Sequence, residues 1–178
     1  MRTHADRVSF IWGIADLIRD AFKRGKYQDV ILPFTVLRRI DCVLAPTKAA
    51  VLRRLGQLKG SGLENLDLQL RQASGFAFYN TSRCDFARLL DDAPGLAANL
   101  RNYINGFSPN MREVIERFGF EGTIADLDGR GLLFQVMERF AQVELGPETV
   151  SNHEMGRPGH RSRSASSRTG INGPALPD

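Results

Sequence analysis

The chain has 178 residues, 42% of them hydrophobic, with two cysteines and a formal net charge of +4. That suits one ordinary domain with a buried core and is too little for two. No apolar run approaches the ~18 residues of a membrane span, MRTHADRVSF lacks the apolar stretch of a signal peptide, and Cys42 and Cys84 show neither disulfide nor zinc spacing, which predicts two thiols in a reducing cytoplasm.

The charge is unevenly divided. Arg157, Arg161, Arg163 and Arg168 against Asp178 put +3 into residues 157–178, leaving +1 for residues 1–156. Overall charge is therefore a poor argument for nucleic-acid binding by the body of the chain.

Phe10, Ile14, Leu17, Ile18 and Ala21 recur at helical spacing and predict an amphipathic helix up to a turn at Lys23–Lys26. Val30, Phe34, Leu37, Ile40 and Leu44 predict a second helix. Its opening, VILPF, is apolar on every side, so this helix is expected to be central, with Pro33 near its first turn. Pro46 ends it and opens a third helix, in which Val51, Leu55 and Leu58 share a face. Gly60 and Gly62 mark a loop, and LENLDLQLRQA reads as a short helix or turn. Phe76 and Phe78 alternate briefly, as in a short extended segment. Thr81 or Ser82 is expected to cap a helix carrying Phe86, Leu89 and Leu90, and Leu96, Leu100, Tyr103 and Ile104 continue the pattern. Ser108-Pro109 then opens a helix with Met111, Val114, Ile115 and Phe118 on one face, and Gly119 stops it. Leu133, Val136, Met137 and Phe140 predict the last full helix, and residues 148–155 look like the opening of another. The expected fold class is all-α: a compact multi-helix domain with a disordered C-terminal tail.

Little in this pattern carries chemistry. DLDGRG (Asp126–Gly131) has neither the ligand series of a calcium loop nor the preceding strand of a nucleotide turn, and reads as a helix–helix turn. His4, His153 and His160 stand apart from any nucleophile or carboxylate pattern. Asp91-Asp92 before Ala93-Pro94 reads as a solvated helix end. No catalytic, cofactor-binding or metal-ligating residue is expected. The one local anomaly is residues 38–59, where Arg38, Arg39, Lys48, Arg53, Arg54 and Lys59 face only Asp41, a net of +5. Thr35, Arg38, Arg39 and Cys42 fall on one stripe of the second helix. Such cations suit contacts to a nucleic-acid backbone; a solvated face, with Arg38 paired to Asp41, is the alternative.

Four stretches carry a resemblance. FIWGIADLIRDAFKRGKYQDVILPFTVLRRIDCVLAPTKAAVL (10–52), FYNTSRCDFARLLDD (78–92), NLRNYINGFSPNMREVIERFGF (99–120) and VSNHEMG (150–156) resemble, in the same order, the N-terminal helical domain of the methylation (M) subunit of type I restriction-modification systems, the HsdM family. The resemblance implies a helical domain over residues 9–156 that precedes a domain binding S-adenosylmethionine and methylating adenine at N6. It also implies assembly with a specificity (S) subunit, a second M subunit and a restriction (R) subunit on DNA, with no membrane. The family's cofactor motif, an Asp-Pro followed by a glycine-rich turn, is absent, as is its Asn-Pro-Pro-aromatic motif, so no catalytic residue carries over. After HEMG, the stretch RPGHRSRSASSRTGINGPALPD (157–178) departs from the family and reads as an out-of-frame end to a truncated subunit. Two alternatives remain: activity gained on assembly with separately encoded subunits, and a stand-alone helical DNA-binding regulator using residues 38–59.

Overall fold

The computed structural model describes residues 4–147, except residues 61, 63 and 64, together with residue 149. Among the described residues the elements are all helical: α1 (His4–Ile18), α2 (Tyr27–Leu44), α3 (Lys48–Leu58), α4 (Asp67–Ser74), α5 (Phe86–Leu89), α6 (Leu96–Asn105), α7 (Pro109–Arg117), α8 (Phe120–Gly129) and α9 (Leu133–Ala141). Short 3-10 turns at Arg24–Lys26 and Ala45–Thr47 lead into α2 and α3. The expected helix at 148–155 and the tail at 157–178 lie outside the described residues.

α2 is the spine of the fold and packs against α1, α8 and α9. Val30, Phe34, Leu37, Ile40 and Leu44 bury the face that their spacing predicts. Phe34 and Phe140 stack with ring centroids 5.5 Å apart, and Phe120 lies 4.8 Å from Phe34 on another side. Ile14 and Ile18 of α1, Leu100 and Tyr103 of α6, Ile124 and Leu127 of α8 and Val136 and Met137 of α9 complete the core. α3 and α4 pair at the edge around Val51, Leu70 and Tyr79.

Pro33 lies deeper in α2 than the first turn expected for it, six residues past Tyr27. A proline there leaves the carbonyl four residues earlier without its helical donor. That carbonyl belongs to Asp29, and the Thr123 hydroxyl of α8 donates to it at 3.2 Å. The all-round burial predicted for VILPF also fails at Leu32, which is 52% exposed. The helix is central along one side only.

Two further expectations are corrected by local bonding. α5 is capped by Asp85, whose side chain accepts from the Arg88 N–H at 2.9 Å. Thr81 and Ser82 are engaged elsewhere: the Thr81 hydroxyl donates to Gly106 O, and Ser82 Oγ accepts from the Cys84 N–H. The extended pairing lies just beyond Phe76 and Phe78, as an isolated antiparallel bridge between Asn80 and Phe107. Gly106 allows this close approach, because a Cβ there would sit 2.7 Å from Asn80 Oδ1 and 2.9 Å from the Ser82 nitrogen. The apolar spacing does not predict α8, and DLDGRG, expected as a helix–helix turn, is its C-terminal end followed by a Schellman turn. Leu132 N–H donates to Leu127 O and Gly131 N–H to Asp128 O, with Gly131 at φ 68°.

Candidate nucleic-acid interface

The six cations of residues 38–59 divide into two sets. Arg38, Arg39 and Lys48 turn inward. Arg38 Nη1 meets Asp41 Oδ2 at 2.8 Å, while its Nε donates to Val143 O at 2.9 Å and its Nη2 to Ala141 O at 3.2 Å. The same guanidinium stands 5.4 Å from the Phe86 ring centroid. Arg39, 8% exposed, donates to Leu145 O. Lys48 donates to Cys84 O and lies over the Tyr103 ring, 5.2 Å from its centroid. These three residues are spent on internal acceptors and are not arranged as a surface patch. Sequence spacing placed Arg38 and Arg39 on one stripe; the segment covering that stripe lies more than 100 residues away.

Arg53, Arg54 and Lys59 turn outward. All three are exposed, because Val51 and Leu55 take the opposite side of α3 into the α3–α4 cluster and Leu58 is buried beside them in sequence. Among the described residues none of the three meets a carboxylate; Arg54 reaches only Gln57 Oε1, at 3.4 Å. Arg53 and Arg54 thus lie on the solvent side of α3, and Lys59 stands at its C-terminal end.

Behind it lies a buried polar network. Asp41 holds Arg38 with one oxygen and accepts from the Tyr103 hydroxyl with the other, at 2.8 Å. Asn80 Nδ2 donates to Tyr103 O at 3.0 Å. The cavity among Asp41, Lys48, Asn80 and Tyr103 measures about 10 Å³, too small for a cofactor. Among the described residues no group of three or more His, Cys, Asp and Glu is placed to hold a metal, and no helix is long and apolar enough to cross a membrane. Cys42 and Cys84 are free thiols.

Burial, and then the Asp41 charge, hold the Tyr103 phenol well above its usual 10.0, and burial pushes the Cys42 thiol from 9.0 to about 11. Tyr79 is raised as well, first by burial and then by Asp67. In each case the folded chain keeps a proton that the unfolded chain loses, so stability is full below about pH 9 and falls as pH rises past 9 to 10. Lys48, lowered chiefly by burial, works in the opposite sense below its unfolded value of 10.5. We expect the urea midpoint to fall from pH 9 to 11, and Tyr103→Phe to remove about one proton from that dependence, roughly 1.4 kcal/mol per pH unit. An unchanged slope in the variant would remove Tyr103 from the account.

The chain belongs to the class of small all-helical domains, with a polar network in its interior and three exposed cations on α3 and at its end. The HsdM N-terminal domain family matches residues 8–140, three quarters of the chain, and the chain belongs to that family. It is the N-terminal domain of a type I restriction-modification methyltransferase subunit. No curated protein and no solved structure matches it.

Proposed function

We propose that this chain acts as an assembly and DNA-clamping module of an adenine-specific methylation subunit and is inactive by itself. The family match over residues 8–140 carries this reading. Its partners would be the specificity subunit, a further methylation subunit, the restriction subunit and DNA. S-adenosylmethionine would be held by a catalytic domain of the kind the family places after this one. Two surfaces support the reading. Arg53 and Arg54 on α3 and Lys59 at its end supply exposed positive charge that meets no carboxylate among the described residues. On α1, Val8, Ile11 and Trp12 are exposed together at helical spacing, and Trp12, the only tryptophan, is 65% exposed; apolar side chains so grouped suit contact with another protein surface.

Two measurements test it. Radiolabelled methyl transfer by the chain plus specificity subunit should be absent, and site-specific methylation would overturn the inactive reading. Binding to short duplexes should weaken with salt, with a log–log slope of about −2 to −3 if three phosphates are neutralised. Arg53→Glu with Arg54→Glu should remove most of that slope. Sequence-specific binding by the isolated chain would instead favour a stand-alone regulator.

A further inference from the structure

Among the described residues beyond α9, the chain is attached to the domain through side chains of α2 rather than by main-chain pairing. Val143 and Leu145 form a small apolar cluster with Cys42, separate from the main core and covered by Phe10. Among the described residues, the main-chain bonds of residues 142–149 are local: Gln142 N–H to Glu138 O, Val143 N–H to Phe140 O, Thr149 N–H to Gly146 O. The bridges to α2 are guanidinium–carbonyl bonds. Arg38 takes Ala141 O and Val143 O, and Arg39 takes Leu145 O. Glu144 adds a weak approach to Arg38 at 4.0 Å. Two neighbouring residues of one helix thus grip three carbonyls of one segment.

We propose that residues 142–147 are a latch, closed on α2 by Arg38 and Arg39, which opens as a unit while the helical core stays folded. The inference rests on these contacts and holds whether or not the chain clamps DNA. A segment with a small apolar contact and no ladder to its support belongs to the low-stability end of a fold, where partial opening precedes global unfolding. Closing the latch gives Arg38 and Arg39 the Val143 and Leu145 carbonyls as acceptors, charged hydrogen bonds that favour the closed state. Opening it uncovers Cys42, a residue only 7% exposed in the closed form. Its raised pKa in that form keeps it protonated and unreactive, since the thiolate is the nucleophile. Cys42 is itself one of the contacts of the latch, and its modification therefore reports the opening.

The test is the modification rate of Cys42 by an aromatic disulfide reagent in the full chain carrying Cys84→Ser, measured across urea concentrations below the unfolding midpoint. The latch predicts a rate nearly independent of urea, because little surface is exposed on opening. Arg39→Ala should raise that rate about tenfold or more, the order expected for losing a charged hydrogen bond. Arg39→Lys, which keeps a donor, should fall between. Leu145→Ala removes the apolar contact instead and should act in the same direction, which keeps the test available if Arg39→Ala does not fold. A wild-type rate that follows urea as steeply as global unfolding would overturn the proposal. So would variants whose rates change only in proportion to their global stability.

Discussion

Asp41→Ala is expected to destabilise the domain by about 3–5 kcal/mol, the range for removing one partner of a buried ion pair. Asp41 is 6% exposed and each of its oxygens has its own donor, Arg38 Nη1 on one and the Tyr103 hydroxyl on the other, both at 2.8 Å. Alanine would leave the phenol without an acceptor and the guanidinium, whose side chain is 14% exposed, with only the exposed Glu144 at 4.0 Å as counter-charge. The loss is thus mainly the burden of uncompensated polar groups rather than the worth of two bonds. A graded series follows. Asp41→Asn keeps the shape and one acceptor and should lose less, and Tyr103→Phe, which removes a single bond, should lose about 1 kcal/mol. Arg38→Met combined with Asp41→Ala should recover part of the single-variant loss, because the orphaned charge is gone. Urea unfolding of these four variants, and of Arg38→Met alone, checks the order. Strict additivity between Arg38→Met and Asp41→Ala would show that the two residues do not act as a pair.

The same network explains which parts of the molecule were legible in the sequence. Helices whose apolar residues fall on one face, such as Leu133, Val136, Met137 and Phe140, can be read from spacing, because only the helical period brings those positions together. α8 could not be read in that way. Phe120, Ile124 and Leu127 do fall on a buried face, but Gly122, Thr123, Asp126, Asp128 and Gly129 around them are weak helix formers, and tertiary packing supplies what local preference lacks. Capping failed for a related reason. Thr81, Ser82 and Asp85 are all competent caps, and the choice was made by Gly106, which takes the Thr81 hydroxyl, and by the loop that takes Ser82.

The candidate interface was half legible on the same principle. Charge and spacing identify a concentration of cations, but whether a cation faces solvent depends on what distant chain lies over it. Arg53 and Arg54 have only α3's own pattern to obey, and that pattern puts them outside. Arg38 and Arg39 obey their stripe too, yet the carbonyls of Ala141, Val143 and Leu145 arrive there from the far end of the domain. No local rule predicts that meeting. The alternative reading of Arg38, paired to Asp41 three residues on, needed only helical geometry, and that contact is present.

Phe34→Ala should destabilise by about 3–5 kcal/mol, the range for emptying a buried aromatic position, and lower the melting temperature by about 10 °C. Phe34 is fully buried and sits where α2, α8 and α9 meet, with Phe120 on one side and Phe140 on another. Phe140 in turn meets Phe10 of α1 edge-on at 5.1 Å, so four helices share one aromatic cluster. Removing the central ring leaves a cavity and deletes two aromatic pairs, each worth about 0.5–1.5 kcal/mol beyond its buried area. Relaxation is limited, because Phe34 follows Pro33, whose ring and the Thr123–Asp29 bond fix this stretch of α2 against α8. Phe34→Leu fills much of the volume without the ring contacts and should lose less. Against a total stability of about 5–15 kcal/mol for a domain of this kind, the alanine variant should be marginal at 37 °C. Thermal unfolding followed by circular dichroism decides the matter. A melting point within 2 or 3 °C of the wild type, roughly 1 kcal/mol or less, would mean that this aromatic cluster is not the centre of the fold.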